Sequence, residues 1–504
     1  MPILSIAIES FHHFNQAKEI VMKKCWYALI LAVLMVSIAN AQPDSLWSRT
    51  YGGTGRESGW AVVSAEDGGY VLGGLTNSFG AGGYDGWLIK TNADGDTLWC
   101  RTFGGPQDEE VATMGRTTDG GYFMAGMTYS YGAGNGDFWL VKTDADGNAM
   151  WSRTYGGPAE DGDAFQCQVT TDGGYILAGP THSFGAGNHD FWLVKTNANG
   201  DSLWSRTFGG PLMESALYVV QTADTGYMVA GTTYAAGHEN GDFWLIKTDA
   251  NGDSLWSHTY GRPWEDIPWC VKQTMDGGYI VVGQSARTSG GIPDIWLVKT
   301  SANGDSLWSR TYGQPGSYEV GYSAVQMSDG GYVIAGGTEA IGPNNGDVWL
   351  IRTESEGIVL WSRMYGSGAD EGAHDFQLTA DGGYIITGYA NSSGSYDMLL
   401  LKTGPDPVSV DNHLVFQPSS YSLSSYPNPF NPVTEIVYSV PQAGPVSLRV
   451  YDILGRQVAV LVDGFSTPGT YRTTFDGSHL SSGIYFVRLQ AGNHSETCKM
   501  VLLK

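Results

Sequence analysis

Two acidic positions recur seven times along this 504-residue chain at near-constant spacing. One is an aspartate: Asp85, Asp137, Asp190, Asp242, Asp294, Asp347 and Asp397. The other is an acid ten residues, or in one copy eleven, beyond a tryptophan: Glu57, Glu109, Asp161, Glu214, Asp266, Glu319 and Glu371. Carboxylates gathered near one axis repel unless they are hydrogen-bonded, protonated or bound to a cation. The second set is therefore the candidate for a cation site at a channel mouth, with Ca²⁺ as the ion. The plainer expectation is bonding to loop amides or to Arg49, Arg101, Arg153, Arg206, Arg310 and Arg363. Loop aromatics form a third set, with Phe79, Tyr131 and Phe184 in one register and Tyr84, His189 and Tyr396 in another. Aromatics among glycines on a loop rim either stack on sugars and proteins or pack on neighbouring loops.

Signatures of catalysis are scarce. HExxH, GxSxG and GxxxxGK[ST] are all missing from the sequence, and GAGNG at 132–136 falls between strands instead of at a strand-to-helix turn. No catalytic residue is assigned. The NADGD and DADGN runs place glycine fourth, where a calcium loop of the EF-hand kind needs it sixth, so they read as hairpin turns.

The elements that must position these residues follow from a repeat. DGGY occurs at 67, 119, 172, 276, 329 and 381, with DTGY at 224, a period of 52 or 53 residues. Each copy holds four strand-like runs, in the first copy GWAVVSAE, GYVLGGLT, GWLIKTN and TLWCRTFG, separated by turn residues. Four antiparallel strands per copy is the content of a propeller blade. The seventh copy lacks its last strand, while DSLWSRTYGG stands alone at 44–53. One unpaired strand at the start and one vacancy at the end predict a closed ring, which removes an exposed sheet edge. The expected fold is all-β: a seven-bladed β-propeller over 42–403, closed by its N-terminal strand. Tryptophans fill two repeat positions, Trp47 to Trp361 on the fourth strands and Trp87 to Trp349 on the third. They are read as packing between blades. The turns after strands one and three share a tight rim, and the long loops after strands two and four share the other, where function is expected.

Composition agrees, with 71 glycines, 12% aromatic and 15% charged residues. Residues 1–41 read as a signal peptide with its true start at Met22: Lys23-Lys24, an apolar run from Cys25 to Ile38, then Ala39-Asn40-Ala41. Its removal leaves 24 basic and 49 acidic residues. So acidic a chain would repel nucleic acid and anionic lipid. No other segment is apolar and long enough for a membrane span. Cys100, Cys167, Cys270 and Cys498 lack metal or disulfide spacing and read as small apolar core residues.

The KTDADGNAMW pattern resembles the tryptophan-docking repeats of quinoprotein dehydrogenases, and the DGGY/WLVKT copies resemble other secreted repeat propellers. The likeness implies the fold and leaves the chemistry open. After a linker at 404–424 the style changes. Tyr426-Pro-Asn-Pro-Phe-Asn-Pro432, VYDILGRQV at 450–458, SSGIYFVRL at 481–489 and KMVLLK at 499–504 closely resemble the type A C-terminal sorting domain of the type IX secretion system. That resemblance implies a small Ig-like β-sandwich over 425–504 and export through the periplasm to the outer surface or medium. It also implies the secretion machinery as partner, and recognition of Lys499 and Lys504. The expected role is a secreted or surface propeller that binds or adheres to a glycan or protein. The alternative is a secreted propeller enzyme, carbohydrate-active or quinoprotein-like. No cofactor is expected.

Overall fold

The computed structural model describes residues 42–504 except 163, 235–239, 287–290, 315, 341–345, 392–393, 408–421, 427, 441–443, 467–468 and 493. The signal-peptide segment lies outside these residues. The chain forms two compact units, the first ending at Pro407 and the second beginning at Val408.

Among the described residues, the first unit consists of seven four-stranded antiparallel sheets in a propeller-like repeat. In the first sheet an inner strand, Glu57–Ser64, is followed by Tyr70–Thr76, Asp85–Thr91 and an outer strand, Thr97–Phe103. The three inner members are largely buried, whereas the outer strand alternates exposed and half-buried residues. The turn between third and outer strands closes as a hairpin: the Asn92 amide donates to the Asp96 carbonyl at 2.9 Å, and Asn92 Oδ1 accepts from the Asp94 and Asp96 amides. The turn's side chain is thus spent on its own backbone.

Six of the outer-strand tryptophans reach the hairpin of the following sheet. Gly95 sits at φ +83°, and a Cβ there would stand 2.8 Å from the Trp47 ring. The same meeting joins Trp99 to Gly147 and Trp308 to Gly357. Glycine is required twice over, by its left-handed backbone and by the indole above it. Tyr51 adds a hydroxyl that donates to the Gly95 carbonyl at 2.5 Å. Across each sheet's tight rim the third-strand lysine pairs with the aspartate of DGG, for example Lys90 with Asp67 at 2.8 Å and Lys299 with Asp276 at 2.9 Å.

The seventh sheet takes its outer strand from the beginning of the chain. Ser45–Tyr51 pairs antiparallel with Tyr396–Thr403, Trp47 opposite Lys402 and Tyr51 opposite Met398. The seventh sheet also packs on the first: Ile385, Met398 and Leu400 share a buried cluster with Val62, Leu72 and Ile89. At the junction between the sixth sheet and the seventh the repeat is broken, because no hairpin follows Thr403. Instead Gly404 donates to the Asp44 carbonyl at 2.7 Å, and fully buried Asp406 accepts from Trp361 Nε1 at 3.0 Å and the Tyr384 hydroxyl at 2.7 Å. Arg352 replaces the usual lysine and reaches both Asp406, at 3.1 Å, and Asp329. A lysine lacks the forked geometry to serve two carboxylates in this way. The expected linker at 404–424 therefore begins later than its composition suggests, since Gly404–Asp406 are locked into the first unit.

The second unit contains a three-stranded sheet and a four-stranded sheet that share one core. Ile436, Tyr438 and Phe475 come from the first, and Leu448, Val487 and Leu489 from the second. The YPNPFNP and KMVLLK motifs interlock. The Phe430 amide donates to the Val501 carbonyl at 2.9 Å, the Leu503 amide to the Phe430 carbonyl at 2.9 Å, and Asn428 clasps the Lys499 carbonyl and Val501 amide.

Candidate functional site: the central cavity

The inner strands of all seven sheets line one cavity of about 980 Å³. A local irregularity aims side chains into it. In six inner strands the register slips three residues after the recurrent acid, so that Trp60, Ala112, Leu217, Trp269, Tyr322 and His374 each sit in a β-bulge. A bulge redirects its residue out of the regular alternation, and all six line the cavity. The fold thus repeats this opening, but the residues placed in it do not repeat.

Aromatic rings occupy the bulges of four consecutive sheets, the fifth through the seventh and then the first. Trp269 and Tyr322 have centroids 5.3 Å apart, Tyr322 and His374 5.0 Å, and His374 stacks on Trp60 at 3.9 Å with planes within 4°. The opposite side offers Ala112 and Leu217. His374 Nδ1 lies 2.9 Å from the Gly59 carbonyl, which can only accept, so the proton resides on Nδ1 and the lone pair on Nε2. Burial lowers the His374 pKa to about 4.

Beneath the aromatic arc lies a polar layer. Asp375 accepts from the Val62 amide and the Ser323 hydroxyl, both at 3.2 Å. Burial pushes its pKa up to about 6 despite those bonds and the nearby Lys272. Lys272 bonds the Tyr218 hydroxyl and lies 4.8 Å over that ring; burial holds the Tyr218 phenol well above the usual range. Thr113 donates to Gln166 at 2.6 Å, and Gln377 accepts from the Ser64 amide at 3.1 Å. These contacts tie neighbouring inner strands together, including the seventh to the first.

The sequence-predicted acids lie elsewhere. Glu57, Glu109, Asp161, Glu214, Asp266, Glu319 and Glu371 are all buried, and none lines the cavity. Each accepts a backbone amide of the loop before it: Gly53 to Glu57 at 2.9 Å, Gly105 to Glu109 at 2.7 Å, Gly157 to Asp161 at 2.5 Å, Gly210 to Glu214 at 3.0 Å, Arg262 to Asp266 at 2.6 Å, Gln314 to Glu319 at 3.1 Å and Ser367 to Glu371 at 3.1 Å. The acid precedes the bulge and turns back into the junction between sheets, so the channel-mouth placement is corrected. Its neighbour is the other recurrent aspartate. A Cβ on Gly104 would fall 2.1 Å from Asp85 Oδ1 and 2.4 Å from Glu109 Oε2, which explains the glycine. Burial raises the pKa of Asp85, and Asp266 is pushed up to about 6 by the same cause. The arginines are not partners of these acids. Arg49, Arg101, Arg153, Arg206 and Arg310 lie over the tryptophans of their own outer strands at 5.3–5.6 Å. Among the described residues no group of three or more His, Cys, Asp or Glu side chains is arranged to hold a metal.

The rim aromatics are dispersed. Phe79 and Phe184 pack on Trp87 and Trp192 at 5.4 and 5.1 Å, and the Tyr131 hydroxyl donates to the Gly104 carbonyl at 3.0 Å. Phe79, Tyr131 and Phe184 remain 42–46% exposed. The Tyr396 hydroxyl bonds Asp370 at 3.0 Å, His189 meets His182 edge-on, and half-buried Tyr84 is held by its amide to Asp108 at 2.9 Å. Of the cysteines, Cys167 and Cys270 are buried as expected, but Cys100 is exposed and Cys498 half-buried, because both lie on strands with one solvent face. In the second unit Lys499 is exposed, and Lys504 Nζ donates to the Ser478 carbonyl at 2.6 Å.

Residues 424–503 match the secretion system C-terminal sorting domain. The chain therefore carries the tail that marks proteins for type IX export to the cell surface or extracellular space, and it is a secreted or surface protein. No curated protein matches the chain. Among solved structures it is similar to puromycin hydrolase, with a TM-score of 0.46, 13% identity, and coverage of 77% of this chain and 59% of that one. It is also similar to the polysaccharide lyase Uly1, with a TM-score of 0.44, 10% identity, and coverage of 69% and 90%. The chain thus spans under two thirds of the hydrolase's length, and likenesses this distant carry no activity across. Among the described residues, no helix is long and apolar enough to cross a membrane.

Proposed function

We propose that the mature chain is a seven-bladed β-propeller, closed by its N-terminal strand and followed by an Ig-like sorting sandwich, and that the propeller is a glycan-binding module whose site is the central cavity. The observation that carries this reading is the mismatch between a repeated bulge and its unrepeated contents. Packing alone would be served by one residue type in all seven sheets, as it is at the outer tryptophans. Four adjacent rings above a layer of amide, hydroxyl, carboxylate and ammonium groups suit a saccharide, which presents apolar C–H faces and a hydroxyl edge. The aromatic arc supplies stacking, and Gln166, Ser323 and Asp375 supply polar partners. The test is a glycan array probed with the mature chain, followed by titration of intrinsic tryptophan fluorescence. Binding that survives Trp269→Ala together with His374→Ala would place the site elsewhere.

A second reading, a carbohydrate-active enzyme, is favoured by one feature: His374, with its Nε2 lone pair, and Asp375, whose pKa burial pushes up to about 6, both line the cavity. Release of new reducing ends or unsaturated sugars from a bound glycan would establish it. An absorption scan of purified protein tests the quinoprotein-like version. For the tail, deletion of 425–504 is expected to leave the protein in the periplasm, with none at the surface or in the medium.

A further inference from the structure

Of the two cations that line the cavity among the described residues, Lys272 and Arg116, the first has an unusual status. The third-strand cations of the seven sheets each pair with a carboxylate, as Lys195 does with Asp172 and Lys402 with Asp381 at 2.8–2.9 Å. Lys272 differs. Among the described residues its ammonium bonds the Tyr218 hydroxyl and meets no carboxylate within 4.0 Å. The second cation lining the cavity, Arg116, is already paired with Glu66. Burial works against the charge on the Lys272 ammonium, and the nearby Asp375 carboxyl is among the groups that hold its pKa above the ordinary lysine value. The chain as a whole carries a formal charge of −24. A half-buried ammonium bonded to a neutral phenol retains capacity for two more hydrogen bonds, and a low-dielectric wall strengthens its pull on an anion.

We infer that Lys272 is the anchor for an anionic substituent, so that the cavity takes an acidic saccharide: a sugar ring lies along Trp269, Tyr322 and His374 while its carboxylate or sulfate meets the Lys272 ammonium. This deepens the glycan-binding reading and rests on it. Tyr218 holds the ammonium from one side and orients its remaining protons into the cavity. Asp375, carried on the seventh sheet, sets the other boundary. Ionised, it repels a second anion; protonated, it donates a hydrogen bond. The anion at Lys272 is thus kept to a single position, with neutral hydroxyls facing Asp375. Both carboxylate and sulfate satisfy this chemistry, and they come from different glycans, polyuronates and sulfated polysaccharides.

The experiment is calorimetric titration of the mature chain with four oligosaccharides of equal length: an oligogalacturonate, its methyl ester, a sulfated galactan fragment and a neutral galactan fragment. At least one acidic ligand is expected to bind about tenfold or more tighter than its uncharged counterpart, as befits one charge-assisted hydrogen bond. That advantage is expected to shrink with added salt, to vanish in Lys272→Met and to persist in Lys272→Arg. The uronate and sulfate arms tell which anion is preferred. Equal binding of charged and uncharged partners, or a preference that Lys272→Met leaves intact, overturns the anchor while leaving a neutral-glycan site standing. If none of the four ligands nor any glycan on the array binds, both readings fall. The salt dependence needs no variant, so a poorly folding substitution does not shield the idea.

Discussion

The sheet junctions and the axis follow opposite rules. At the junctions most copies repeat the same devices: an outer tryptophan over a hairpin glycine, a lysine paired with the aspartate of the tight turn, and two acids converging on a glycine. Around the axis the backbone repeats a bulge, but its occupant changes from tryptophan to alanine, leucine, tyrosine or histidine. Repetition marks what the scaffold needs seven times. Its absence, at a position the scaffold opens six times, marks what is needed once. The junction between the sixth sheet and the seventh shares features of both, since it must do the work of the other six with different parts.

The sharpest way to break this comparison is at that odd junction. Asp406→Ala strips the partners from Trp361, Tyr384 and one face of buried Arg352, and is expected to cost about 3–5 kcal/mol in denaturant unfolding. Asp67→Ala removes the half-exposed partner of Lys90 in a repeated device and is expected to cost about 1 kcal/mol. Equal losses would mean that Gly404–Asp406 add nothing. Next, Trp308→Ala and Trp269→Ala exchange the same residue in the two regions. The first is expected to lose about 3 kcal/mol of stability with ligand affinity unchanged, and the second to abolish binding at a smaller stability cost.

Titration gives an effect of similar size but divided sign. His374 has its pKa lowered to about 4, so the unfolded chain binds its proton first and stability falls as pH drops from about 6.5 to 4. Asp266 has its pKa raised to about 6, so the folded chain holds its proton longer and stability falls as pH climbs from about 4 to 6. Each amounts to about 3 kcal/mol at most. Denaturation curves across this range should tilt in opposite directions, His374→Gln becoming relatively steadier at pH 4 and Asp266→Asn relatively steadier at pH 6.5. Parallel curves would remove both assignments. The acids with pKa lowered to about 2, Asp119, Asp172 and Asp381, act below this window. The smallest change is at the rim, where Phe184→Ala should shift stability by about 1 kcal/mol or less and leave binding intact.

Much of this architecture could be read from residues alone, because a repeat reports its own geometry. The DGG and NADGD turns, the four runs per copy and the stray DSLWSRTYGG strand specify the sheets and the pairing of Ser45–Tyr51 with Tyr396–Thr403. The cavity was harder to see. Trp60, Trp269, Tyr322 and His374 occupy corresponding places on the inner strands, with Asp375 one residue and Lys272 three residues beyond, but a place that varies reads as drift unless the bulge beneath it is known. The signal was present as four aromatic residues three positions after the recurrent acid. The acids themselves drew attention by recurring, and recurrence is the property that ties them to the junctions. Asp406 lies in a Pro-containing GPDP run of linker composition, and only the vacancy beside Trp361 gives it a role.

The clasp at the last junction also governs timing. The Tyr365 hydroxyl and the Pro43 carbonyl that it bonds are 322 residues apart along the chain, and the strand made first waits for the partner made last. Until synthesis or translocation delivers that partner, both edges stay open to wrong pairing, and joining them is a long-range encounter with a high entropic barrier. Assembly of this molecule is therefore a race between self-closure and capture by a neighbour, settled by how long its first strand can be kept apart.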